Sequence, residues 1–218
     1  MSQYDSLDDF LASQPPGVHH SDRRLARLVR EAYPIGVPAL IMKSSTDRLG
    51  ESAGYAFHLG TPDEMLRQLA SWLLTGAGDE QGALLRLVGG LWARHGREDV
   101  ALAAILLANL DHSRLGSDPW QVRASSTGGV EPAEALLLSI EELLRAGRGM
   151  PSEAMLLQWC EGRAVDAHMA LLASYAGSVR GSEPSASLRS ALASLEVPVG
   201  DSLLGRVKQR LLSPEAQD

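Results

Sequence analysis

The chain has 218 residues, 44% hydrophobic and 22% charged, a globular rather than a disordered balance. Its formal net charge of −7 argues against a generally basic nucleic-acid binder, although a local basic patch can sit on an acidic protein. The single cysteine, Cys160, excludes an internal disulfide, a cysteine zinc site and a CxxC redox pair. Only 5% of residues are aromatic, so the core must be built from Leu, Ala, Val and Ile. The N-terminus is acidic and lacks the pattern of a signal peptide. No apolar run reaches the roughly 18–20 residues of a membrane span. The cytoplasm is the expected compartment, with no membrane association.

Residues 1–20 read as an N-terminal tail holding one short helix at Leu7–Ala12, broken by Pro15 and Pro16. "SDRRLARLVREAY" (21–33) is an amphipathic helix with Leu25, Leu28, Val29 and Ala32 on its apolar stripe and Ser21 or Asp22 as cap. Its other face carries Arg23, Arg27 and Arg30, a solvated or anion-binding face. Residues 33–60 divide into two shorter helices parted near Ser44-Ser45. The helix over 61–76 has Thr61 as cap, Pro62 at the first position, Glu64 closing a capping box and Gly76 as stop.

The next helix runs over 79–95, ended by Gly96. Glu98 and Asp99 then suit the positive end of a helix over 98–109 that is apolar nearly all round, and so buried between neighbours. Residues 111–132 form the longest break, with a short helix at Pro119–Ala124 capped by Ser117 or Asp118. Further helices are expected at 132–146, 151–160, 164–176, 185–195 and 201–212, the last capped by Asp201. Nothing alternates with period two, so no strand is expected.

Comparable helices begin near Thr61, Glu98, Glu131, Ala164 and Asp201, at intervals of 37, 33, 33 and 37 residues. One helix pair plus turns fits that period. The fold read from the sequence is therefore all-α: one domain over 21–213, an array of antiparallel helix pairs (an α-solenoid), with an irregular helical bundle as the alternative. In an array, stacking the next pair completes each core.

Three places offer candidate binding residues: Trp92 with Arg94, Trp120 with Arg123, and Trp159 with Arg163. An aromatic ring beside an arginine can stack a base and hold a phosphate, or simply cover a helix junction. The 111–130 loop could equally be the site of a small helical enzyme. No pair of histidines stands at i, i+4, and no HExxH, GxSxG, GxxxxGK[ST] or GxGxxG occurs. No metal site, cofactor or catalytic residue is assigned. Cys160 reads as a small buried residue rather than a nucleophile.

"LW…REDVALAAILLANL" (91–110) resembles a helix-pair segment of the HEAT-like DNA alkylation repair family, itself similar to bacterial alkylpurine glycosylases. "LQWCEGRAVDAHMALLASYA" (157–176) resembles a later repeat; together they span about 40 of the 218 residues. The resemblance implies a right-handed array with a concave face, which in the family binds damaged DNA and permits excision of alkylated bases. The family's catalytic aspartate follows a tryptophan by four residues. Here Ala124 stands four residues after Trp120, and Asp118 precedes it. The carboxylate that stabilises a cationic sugar is thus not carried over. The sequence reading is a non-enzymatic binding or scaffold protein with a protein partner. The alternative is a DNA-binding or glycosylase-like protein contacting DNA through Arg86, Arg94, Arg123 and Arg163.

Overall fold

The computed structural model describes residues 6–47, 54–129, 131–198 and 202–213. Every regular element among them is helical, with no strand. The contacts divide the chain into two compact units, Met1–Ser126 and Thr127–Asp218.

The first unit opens with α1 (Leu7–Ala12), capped by Ser6, whose hydroxyl accepts from the Asp9 N–H. Leu7, Phe10 and Leu11 are buried, so from Ser6 onward the segment read as a tail is packed. After a 3-10 turn at Val18–His20 comes α2 (Asp22–Ala32), capped by Ser21 and burying the expected stripe of Leu25, Leu28, Val29 and Ala32. Helix α3 (Ala39–Asp47) runs straight through Ser44-Ser45, where a break between two short helices was expected. The helix stays continuous as Thr46 turns its hydroxyl back to the Met42 carbonyl, a local bond that helices tolerate. No helix occupies 54–60.

Helix α4 (Asp63–Ala77) begins without the expected capping box. The Thr61 hydroxyl donates instead to the Tyr33 carbonyl at 2.9 Å, leaving Pro62 at the cap position. Nor does Gly76 stop the helix; the chain turns at Gly78, which has a positive φ of 52°. Gly76 has another cause. A Cβ there would lie 2.2 Å from the His19 ring, which packs on Trp72 with centroids 4.3 Å apart.

Helices α5 (Gly82–Arg94) and α6 (Arg97–Asn109) pack on each other across a two-residue corner, with α2 against α5 and α4 against α6. Eleven of the thirteen residues of α6 are buried, the all-round burial that its Ala/Leu content requires. Two helices stand in the 111–132 stretch: α7 (His112–Leu115), which was not expected, and α8 (Pro119–Ser126), the short helix expected at Pro119–Ala124, which packs on α5 and α6.

The second unit holds α9 (Ala133–Arg145), α10 (Glu153–Cys160), α11 (Ala164–Ser178), α12 (Ala186–Ser194) and α13 (Leu203–Leu212). Helix α11 is its α6: an Ala-rich helix buried along most of its length, with α9, α10 and α13 packed on it. Ser202 caps α13 through the Gly205 N–H, while Asp201, the expected cap, lies outside the described residues.

Candidate functional site

The corner between α5 and α6 brings together the buried Glu98 and Asp99 with their hydrogen-bond donors. It begins with a backbone reversal. His95, with φ of 60°, is the one non-glycine residue at positive φ among those described, and it caps α5. The sequence assigned that ending to Gly96, yet Gly96 sits at an ordinary φ of −71° as the cap of α6. Glycine is needed there for space: a Cβ would fall 2.0 Å from Cζ of Phe57. The stretch bearing Phe57 lies along the corner, where the Ala56 N–H donates to the His95 carbonyl and the Arg97 N–H to the Phe57 carbonyl, both at 2.8 Å.

Glu98 and Asp99 were expected to face the positive end of α6 and nothing more. Both are wholly buried. Oε1 of Glu98 accepts from the backbone N–H groups of Leu59, Gly60 and Thr61 at 2.8, 2.9 and 3.4 Å, with His58 Nε2 3.9 Å away. Asp99 receives the Tyr33 hydroxyl at 2.9 Å and both arms of the Arg94 fork, Nε at 2.5 Å and Nη2 on the other oxygen. A bidentate pair of this kind is the strong form of an ion pair. Burial, with Asp99 beside it, pushes the Tyr33 phenol well above its usual range. The bond to Asp99 raises Arg94 as well. A phenol so held neither gives up its proton near neutral pH nor meets solvent. The arrangement ties α2, α5, α6 and the 56–61 stretch together; its chemistry is that of a clamp.

The six candidate residues fall as follows. Trp92 is buried, and the Arg123 guanidinium lies over its ring, 3.6 Å from the centroid. Arg123 and Trp120 are themselves buried on α8. Trp92 and Arg123 therefore do meet, as a stacked pair inside the unit. Arg94 turns from Trp92 to Asp99, the two being on different helix faces at i, i+2. In the other unit Trp159 is buried, while Arg163 binds Asp166 (2.7 Å), the Thr127 carbonyl (3.2 Å) and the Thr127 hydroxyl (2.9 Å). Arg86 pairs with Asp22 at 3.3 Å, and Arg27 on the basic face of α2 pairs with Glu31.

Asp118 accepts from the Gln121 N–H at 2.8 Å at the start of α8, a helix-capping task. His112 is buried between the Ser117 hydroxyl and the Leu107 carbonyl. Burial, and then Glu161, push the Cys160 thiol up, away from nucleophilic character. Among the described residues no three His, Cys, Asp or Glu side chains gather as metal ligands, and no helix is long and apolar enough to cross a membrane.

Sequence reasoning missed Tyr33 and Phe57 and undervalued Glu98 and Asp99. One signal was available: an acidic pair opening a helix apolar on every side must be carried inward with it, and buried carboxylates demand donors.

The corner and its flanking helices define an all-α chain built around buried Ala/Leu helices. No protein-family model, curated protein or solved structure matches it.

Proposed function

We propose that this chain is a non-enzymatic helical binding protein whose contact with a protein partner is made by the start of α3. The observation that carries this is a run of four consecutive exposed apolar residues, Pro38, Ala39, Leu40 and Ile41. Leu40 is 76% and Ile41 48% exposed, and Ser45 is the one buried residue of α3. Such a run is a fault in a surface that meets only water, and is retained where something apolar covers it. In the polar corner Tyr33 and Arg94 are bound to Asp99 and Oε1 of Glu98 to backbone N–H groups, while Oε2 of Glu98 is buried with no hydrogen-bond partner among the described residues.

The HEAT-like reading rests on a parallel between the units. In each, a helix with a buried tryptophan near its end leads through a Gly-Arg pair into a buried Ala/Leu helix with an aspartate in its first turn. Asp99 and Asp166 each bind a nearby arginine, Arg94 and Arg163. The nucleic-acid reading gains no such support, because Arg94 and Arg123 are turned inward and Arg86 and Arg163 are paired.

The test is a photo-crosslinking residue at position 40, with one at the exposed position 190 as control. We expect a discrete adduct from position 40 alone, lost when Ile41→Asp is added to the chain that carries the probe at position 40. That variant should keep its stability within about 0.5 kcal/mol, as exposed substitutions do. Equal adducts at both positions, or none at 40, would refute the surface. Duplex binding that weakens steeply with salt would move the assignment to nucleic acid.

A further inference from the structure

The second unit contains a cavity of about 150 Å³ where the starts of α10 and α12 meet the middle of α11. Its floor is apolar and buried, formed by Pro151, Leu156 and Leu188, with Met150 at the side. Met150 is an adjustable wall: its methyl stands 2.7 Å from where a Cβ on Gly177 would be, and a thioether side chain repacks readily. To this lining α11 adds one polar group. Ser174 is 3% exposed, and its hydroxyl has no hydrogen-bond partner among the described residues. An unmet buried hydroxyl is costly and calls for a guest that can bond to it.

The rim supplies charge. Ser185 and Ser187 both donate to Oε1 of Glu153, at 2.6 and 2.9 Å. Those two bonds hold the Glu153 carboxyl below its ordinary range, so this exposed group is ionised at neutral pH, and Oε2 takes no hydrogen bond from the described residues. No basic residue lines the cavity. The nearby cation, Arg189, is held by Glu183 at 3.1 Å and by the Leu211 carbonyl at 2.9 Å. Two helix starts lie here, but Ser152 and Ser185 already serve the Met155 and Leu188 amides, so these are not spare donors for an anion.

We propose that this cavity is a binding site for a small organic ammonium: a compact apolar group of about six to eight non-hydrogen atoms bearing one positive charge. The apolar body sits on Leu156 and Leu188 beside Met150. The ammonium donates to Oε2 of Glu153, and the Ser174 hydroxyl bonds to the same polar end. The site belongs to the second unit, and the proposal does not depend on the α3 surface of the first.

Cyclohexylammonium is the probe, followed on the full chain by NMR of the Met150, Leu156 and Leu188 methyls. Cyclohexanol and cyclohexanecarboxylate serve as neutral and anionic controls of the same shape. We expect saturable shifts at these methyls, with the ammonium binding about fivefold or more tightly than the alcohol and the carboxylate weakest. Ser174→Ala and Glu153→Gln should each weaken the ammonium by about fivefold, the loss of one hydrogen bond. Added salt should weaken it further, because Glu153 is exposed. Leu40→Asp/Ile41→Asp should leave it unchanged. Failure to saturate by about 50 mM, equal binding of the alcohol, or tighter binding of the carboxylate would each overturn the proposal.

Discussion

Removing the Glu98 carboxylate strands three backbone N–H groups at once, those of Leu59, Gly60 and Thr61. Each buried donor left without a partner costs about 1–3 kcal/mol, and a carboxylate is a better acceptor than the water that would replace it. Glu98→Ala is therefore expected to destabilise the chain by about 2–4 kcal/mol in urea denaturation, and to speed hydrogen exchange at Leu59 and Gly60. A loss below about 0.5 kcal/mol would show that the three bonds carry no weight. Gly96 gives a second test at this scale. A methyl added there meets the Phe57 ring, so Gly96→Ala should cost about 1–3 kcal/mol. Because Phe57 is the obstruction, Phe57→Leu in the same chain should recover part of that loss. A double-mutant cycle reads the coupling directly, and strict additivity would mean the clash is not the cause.

At the scale of elements, α6 shows why a helix can be apolar all round and still have one place to go. Its alanines are as informative as its leucines: Ala103, Ala104 and Ala108 are buried almost completely, which lets neighbouring helices come close. Ala104→Leu should keep the helix, since leucine is a good helix former, yet destabilise the packed chain by about 1–3 kcal/mol. Calorimetry against wild type measures it. An unchanged melting temperature would mean that α6 has slack its burial does not suggest. Helix α3 behaves oppositely. It buries only Ser45 and leaves its aliphatic residues in solvent, so its sequence answers to something other than the core.

For the whole molecule, pH dependence follows from two histidines in different units. Burial, with His20 beside it, lowers His19; burial lowers His168. In the unfolded chain both return to about 6.5, so on acidification the unfolded state takes up protons first. Unfolding free energy then rises with pH: the contribution is complete above about pH 6.5 and is lost as pH falls below it. Urea midpoints should decline between about pH 7 and pH 5.5, and His19→Gln/His168→Gln should flatten that slope. A wild-type profile already flat across this window would contradict the assignment.

The elements themselves were legible in the chain, because helix formation answers to neighbours three and four residues away. The short helix at Leu7–Ala12, the stripe of α2 and the burial of α6 all follow from that local periodicity. Helix ends were less legible. Thr61 and Gly76 carry good local signals for a cap and a stop, but Tyr33 takes the Thr61 hydroxyl and the His19 ring takes the space beside Gly76. The candidate site was legible least. Sequence proximity joined Trp92 to Arg94, whereas the fold places Arg123 over that ring and sends Arg94 to Asp99. The sequence by itself determined an all-helical chain and which faces of its helices are apolar, since those depend on near neighbours. Only the tertiary structure decided that Glu98 meets amides some 39 residues back along the chain, and that Gly96 yields the reversal to His95 to make room for Phe57. Such pairings are fixed by which surfaces close on one another, and no short-range pattern encodes them.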